Sequence, residues 1–279
     1  MQTTPIASKS FRLASHLWLA AVALSLACGP SFGQDTPAAL RALEKQGLTI
    51  VGKMASPTGL TAYAGYMDQQ PVALYVTPDG KQVIAGTLFD GNGKDLTRAA
   101  LEEAVRKPMS ERAWKELEQA SWISDGRDNA PRKVYVFTDP NCPYCNKFWS
   151  DARPWVDSGK VQLRHIMVGI LTPSSAGKAA ALLADKNPVA ALKAYEQGHT
   201  SANARALAGG HPKPLDGSGI KLLSNIAPSV KAKLDANEKL MASFGLQATP
   251  AMLWRDANGQ LGMRQGVPAS AMAEVLGPR

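Results

Sequence analysis

Cysteine is scarce in this chain. There are three in 279 residues, and one of them, Cys28, sits in an apolar N-terminal segment that reads as removable. Two sulfurs cannot staple a disulfide scaffold. They also fall short of the four ligands that a structural zinc site takes, and neither a second Cys-x-x-Cys nor a His-x3-5-His is present. No metal and no cofactor are expected. Histidine is equally sparse, with four residues, one of them in the N-terminal segment. Beyond that segment no apolar run is long enough to span a bilayer. The region 36–95 has no Cys, no His and no Gly-rich phosphate loop. Basic residues exceed acidic ones (31 against 23), but they are scattered along the chain, which describes a solvated surface rather than a nucleic-acid footprint.

What is present begins with the ends. Residues 1–33 read as a secretory signal. Lys9 and Arg12 are followed by the apolar run Leu13 to Ala27, and Ser31-Phe32-Gly33 places small residues at −3 and −1 before Gln34. An uncleaved anchor and a lipid-modified Cys28 are the alternatives. The anchor is disfavoured by a run shorter than the ~20 residues of a span. The lipid reading is disfavoured by Ser25, where a large aliphatic residue is usual. Export places the mature protein where disulfides persist.

Residues 34–96 alternate in the manner of strands after a short helix, Thr36 to Gln46. The strand candidates are Leu48–Val51, Leu60–Tyr66, Val72–Val76 and Val83–Phe89, with turns at Pro78-Asp79-Gly80 and Asp90–Gly93. This predicts a small antiparallel sheet whose role is shape or association. From Thr97 the period turns helical, with a break expected at Pro108. Ser124 to Arg132 is polar, and 97–132 reads as a mainly helical linker. Trp114 and Trp122 are expected to pack against a domain.

In 133–279, the buried-strand signal Val134-Tyr135-Val136-Phe137 runs through Asp139-Pro140-Asn141 into Cys142-Pro143-Tyr144-Cys145. A helix to about Ser158 is expected, kinked near Pro154 and stopped by Gly159. A strand at 161–168 follows, then helices at Ser174–Ala184, Val189–Gln197 and Pro228–Phe244. A hairpin, 251–254 with 261–267, and a short helix from Pro268 close the chain. Strand–helix–strand, an inserted helical block, then hairpin–helix is a thioredoxin-like order. The fold class is therefore α+β, a small N-terminal sheet joined by helix to a C-terminal thioredoxin-like α/β domain.

The chemistry follows from the thiols. Free cysteine has a pKa of about 8.5, and a helix N-terminus or a Cys-x-x-Cys setting lowers it to roughly 3.5–7.5. Cys142 falls where strand becomes helix, so unpaired N–H groups and the positive dipole end favour its anion. Pro143 fits the first turn, where its missing N–H costs nothing. Cys145, one turn further in, is expected to be shielded and less acidic. Cys142 is the candidate attacking sulfur and Cys145 the resolving one. In a thioredoxin-like order the Thr249-Pro250 bond is expected to be cis and to face the pair, with the Thr249 hydroxyl in reach of the thiolate. His165 is expected to be structural, and His199 and His211 to be solvated in loops.

The run Phe137–Trp149, with Ala152–Arg164, Asp235–Met241 and Thr249-Pro250, resembles the DsbC/DsbG family of bacterial thiol:disulfide interchange proteins. The Pro143-Tyr144 pair is similar to its DsbG branch. The resemblance implies a V-shaped homodimer paired through the N-terminal domain, with a cleft for misfolded or oxidised periplasmic client proteins. It also implies upkeep in the reduced form by a DsbD-type membrane reductase, and rescue of single cysteines oxidised to sulfenic acid. Pro143, Tyr144, Thr249 and Pro250 would then flank the client. Three functions remain open on the residues alone: a dimeric reductase/isomerase, a disulfide-donating oxidase, and a chaperone-like binding module lined by Tyr63, Tyr66, Tyr75 and Phe89.

Overall fold

The computed structural model describes residues 36–279 apart from Thr58, Asp68 and Val267. The expected signal segment 1–33, Cys28 included, lies outside the described residues. The first element is helix α1 (Ala38–Glu44). Four strands follow: β1 (Thr49–Met54), β2 (Thr61–Met67), β3 (Gln70–Val76) and β4 (Val83–Ala85). They form an antiparallel sheet in chain order. Alternation sends side chains to two faces. Tyr63, Leu74 and Val76 join Leu40 and Leu48 on one, while Ala62, Ala73 and Tyr75 pack with Leu101 on the other. Gly65 is required here, because a Cβ would come within 2.7 Å of the Thr49 carbonyl oxygen. β4 is shorter than the alternation of 83–89 predicts. After Ala85 the chain leaves the sheet, and Phe89 returns only as an isolated bridge to Asp95.

Helix α2 (Arg98–Gln119) is continuous, and the break expected at Pro108 does not occur. A proline inside a helix loses one backbone bond and crowds the preceding turn. Here each half is anchored by its own contacts. Leu101 packs on the N-terminal sheet, while Ala113, Trp114 and Leu117 are buried with Tyr135 in the C-terminal core. Trp114 meets Tyr135 edge to face at 5.1 Å. The polar stretch after it is also not helical throughout. Trp122–Asp125 forms β5, antiparallel to β7 (Val161–Met167).

The C-terminal sheet runs β5-β7-β6-β8-β9, with β6 (Arg132–Thr138) at its centre, β8 at Ala251–Arg255 and β9 at Leu261–Gln265. Val134, Tyr135, Val136 and Phe137 of β6 are all buried, as befits a central strand covered on both faces. β6 runs parallel to β7, with Thr138 opposite Met167. It runs antiparallel to β8, with Phe137 opposite Ala251. One sheet edge therefore gathers three loops: the exit of β6, the exit of β7 and the entry to β8. Helices α3 (Pro143–Asp151) and α4 (Arg153–Asp157) follow β6, and Gly159, at φ 78°, ends them. α5 (Ser175–Ala184), α6 (Pro188–Ala208) and α7 (Pro228–Ser243) form the inserted block, and α8 (Met272–Leu276) closes the chain. α6 is twice as long as its apolar pattern predicts. Its buried stripe of Tyr195, Glu196, His199 and Asn203 is largely polar, so apolar periodicity loses it near Gln197.

Candidate redox site

The site stands at the gathered sheet edge. β6 delivers the chain to Asp139, whose carbonyl accepts the Cys142 N–H at 3.0 Å and turns the backbone into α3. Cys142 is the N-cap of that helix. Its Sγ accepts the Cys145 N–H at 3.3 Å and donates to the Thr249 carbonyl at 3.3 Å. The Thr249-Pro250 bond is cis, as the thioredoxin-like order predicts. The carbonyl of Thr249 is thus the acceptor at 3.3 Å, and its side chain adds a contribution of its own to the Cys142 thiolate. In this structure both cysteines are thiols. Pro143 is buried at the first helical position, and Tyr144 between the sulfurs is 52% exposed.

The two cysteines differ little in exposure, at 3% and 2%, so exposure does not separate them. Hydrogen bonding does. The Cys142 thiol is lowered to about 7. The Cys145 thiol contributes most, burial opposes it, and the Thr249 side chain with the N–H groups of Cys145 and Tyr144 adds to it. Burial pushes Cys145 well above the usual thiol range, and the neighbouring Cys142 adds to that. Cys142 is thus the sulfur favoured as thiolate and Cys145 the one kept as a thiol. This is the arrangement in which one attacks and the other waits.

A polar interior holds this turn, and the sequence pattern did not reveal it. The buried Asp139 carboxylate accepts from Asn141 N at 2.8 Å, Ser175 Oγ at 2.8 Å, and Ile170 N and Leu171 N at 2.9 Å. The Asn141 amide nitrogen donates to Ser174 Oγ at 2.9 Å and Ser175 Oγ at 3.1 Å. Tyr195 donates its hydroxyl to the Pro140 carbonyl at 2.7 Å. Asn203 donates to the Pro143 carbonyl at 2.7 Å and to Asn146, which itself donates to Glu196 Oε2 at 2.7 Å. The inserted helices thus grip the motif through these hydrogen bonds. The advance signals for Asp139 and Asn141 were their place just before Cys142 and within the run Phe137–Trp149 that carries the family resemblance. For Glu196 and Asn203 there was none.

The histidines divide. His165 is buried mid-strand with Nδ1 2.9 Å from Thr138 Oγ1, a structural role as expected. His211 is exposed. His199 corrects the expectation of a solvated loop residue. It is buried on α6, with Nδ1 2.8 Å from the Tyr195 carbonyl and Nε2 3.0 Å from Asp216.

The thioredoxin-like domain family matches residues 125–277. The chain is 46% identical to the thiol:disulfide interchange protein DsbG of Pseudomonas aeruginosa over 247 residues, covering 88% of this chain and 90% of that one. It is 38% identical to the protein of the same name from Escherichia coli K12 over 257 residues, covering 91% and 96%. Among solved structures, the catalytic domain of Proteus mirabilis ScsC superposes with a TM-score of 0.44 at 20% identity, over 60% of this chain and 93% of that one.

Proposed function

This chain belongs to the DsbG family of thiol:disulfide interchange proteins, and from that premise we propose that it is a homodimeric periplasmic reductase and isomerase of protein disulfides. Cys142 attacks and Cys145 resolves. The Cys142 thiolate attacks one sulfur of a client disulfide, whose S–S bond breaks as the mixed disulfide forms. The client's second sulfur leaves as a thiolate and takes a proton. In isomerisation that client thiolate, or another, attacks the mixed disulfide and releases Cys142. In reduction Cys145 gives up its proton and attacks Cys142 Sγ, which closes the Cys142–Cys145 disulfide and frees the client thiol. A DsbD-type membrane reductase then restores the dithiol. A client sulfenic acid enters the same cycle, its S–O bond breaking as hydroxide leaves and is protonated to water.

The observation that carries this reading is the split between the sulfurs, Cys142 lowered to about 7 and Cys145 raised. Pro143, Tyr144, Thr249 and Pro250 flank the client chain. An apolar rim suits a protein client: Tyr144, Ile170 and Leu171 are exposed, and Asp139 fixes the last two by their N–H groups. The signal segment 1–33 directs export. Residues 34–96 pair the subunits, 97–132 link, and 133–279 carry the chemistry, with β5 of the linker joined to the catalytic sheet. Against a sticky cleft, Tyr63, Tyr66 and Tyr75 are buried and only Phe89 is exposed.

Trapping the cysteines by alkylation in the periplasm tests the direction of the chemistry. Mostly reduced Cys142 and Cys145 are expected, and a mostly oxidised pair would make the protein a disulfide donor instead. Light scattering of the mature protein is expected to give a dimer at micromolar concentration.

A further inference from the structure

Lys178 has no part in the exchange steps, yet it is only 4% exposed, on α5. An ammonium in an interior costs several kcal/mol unless its donors are met. All three are met here. Nζ donates to Asn141 Oδ1, to the Leu215 carbonyl at 3.1 Å and to the Asp216 carbonyl at 2.7 Å, with the Tyr195 ring centroid 5.9 Å away. None of these oxygens lies in a regular element. Asn141 directly precedes Cys142, and Leu215 and Asp216 lie in the irregular segment between α6 and α7. The same segment touches the turn once more, where the Leu215 N–H donates to the Asn141 carbonyl at 2.9 Å. The Asn141 side chain is held at both ends. Its nitrogen faces the hydroxyls of Ser174 and Ser175, and its oxygen faces the ammonium.

We propose that Lys178 is a positioning residue of the redox site. By binding Asn141 Oδ1 together with the carbonyls of Leu215 and Asp216, it fixes the turn that sets Cys142 Sγ against the Thr249 carbonyl and the first amides of α3. The inference rests on the assignment of Cys142 as the attacking sulfur. Lys178 acts through Asn141, so the effects of altering the two residues must not add.

The test is the pH profile of Cys142 alkylation in the full chain, read by mass spectrometry for each cysteine. Lys178→Met keeps the stem and removes the donors. With far-UV circular dichroism unchanged, it is expected to move the midpoint up from about 7 by about one unit and so to slow alkylation at neutral pH about fivefold, the fall in thiolate fraction that such a shift produces there. Asn141→Ala is expected to do the same, and the double variant to do little more than either alone. A folded Lys178→Met with an unmoved midpoint would overturn the proposal, as would additive shifts, which would mark two independent effects. If Lys178→Met does not fold, Asn141→Ala carries the test, and an unmoved midpoint there overturns it equally. If Cys145 is alkylated before Cys142 in the unaltered protein, the assignment of the attacking sulfur fails instead, and the two failures are distinct.

Discussion

The two halves of this molecule are built from different interiors. Among the described residues fourteen polar side chains are buried, and thirteen of them lie from Asp125 onward. The N-terminal half contributes only Thr97, at its exit, where the hydroxyl lies 2.5 Å from Tyr75 Oη and accepts the Leu88 N–H at 2.7 Å. Among the described residues its sheet is otherwise closed by aliphatic, methionine and tyrosine side chains. An apolar core is sufficient to give a surface a shape. Holding one sulfur as a thiolate beside another kept as a thiol takes fixed dipoles and fixed turns. Those require buried polar groups, each of which must find partners. The contrast teaches where each kind of residue is replaceable: shape tolerates a volume-conserving swap, and the redox turn does not.

The comparison breaks most sharply at the sulfurs. Cys142→Ser is expected to abolish exchange altogether. Cys145→Ser is expected to accumulate mixed disulfides with clients on non-reducing gels. No substitution confined to the N-terminal core should do either. Exchange that survives in Cys142→Ser would reverse the assignment.

Truncation of one buried leucine in each half sharpens the contrast. Leu74→Ala in β3 and Leu163→Ala in β7 remove side chains that are 1% and 0% exposed. Each is expected to cost ~2–5 kcal/mol in denaturant unfolding. Leu74→Ala should leave the Cys142 alkylation profile where it was, because no polar group of the turn reaches the N-terminal sheet. A shifted profile would show that the halves are coupled.

The pH dependence of stability separates the halves again. Burial raises Glu196 above the usual carboxylate range, against the hydrogen bond from Asn146. The folded state therefore keeps that proton to higher pH than the unfolded chain. The stability it contributes is complete below the unfolded value of ~4.3 and is lost as pH rises through the raised one. Glu196→Gln should flatten that loss in melts taken from about pH 4 upward. If melts of the two proteins run parallel across pH, Glu196 is not the group responsible.

The smallest effect is expected at Thr249. Its side chain favours the Cys142 thiolate, after the larger contribution of Cys145. Thr249→Val keeps the shape and the carbonyl contact but removes the hydroxyl. The Cys142 profile should move upward by about one pH unit or less, or roughly 30 mV in the thiol–disulfide equilibrium against glutathione. An unchanged profile and potential would reduce Thr249 to its backbone.

Much of this was legible in the chain, for a reason that can be located. Cys142-Pro143-Tyr144-Cys145 after a buried strand is a local pattern, and so is Thr249-Pro250 at the head of another. Their assignments to a helix N-terminus and a strand entry hold in the structure. The four antiparallel strands before residue 90 follow from alternation, which needs only neighbouring residues. Trp122–Asp125 was not legible as a strand. It is four residues long and borrows its partner, Leu163–Ile166, from about forty residues downstream. The extension of α6 to Ala208 and the burial of His199 were missed because polar stripes carry no hydrophobic period. The unbroken α2 was missed because Pro108 is a local veto that contacts at both ends overrule.

By itself, then, the chain determined which two atoms react, the class of fold that presents them and the alternating N-terminal sheet, because spacing and periodicity are properties of adjacent residues. The tertiary structure alone decided how the turn that carries the sulfurs is held. Asp139, Asn141, Lys178, Tyr195 and Asn203 come from three separate stretches of chain, and their hydrogen bonds exist only once the three loops at the sheet edge and the inserted helices are in place. A buried polar group is stabilised by its partner and not by its neighbours in sequence, so the polar framework around the Cys142 turn has no signature until the chain has folded.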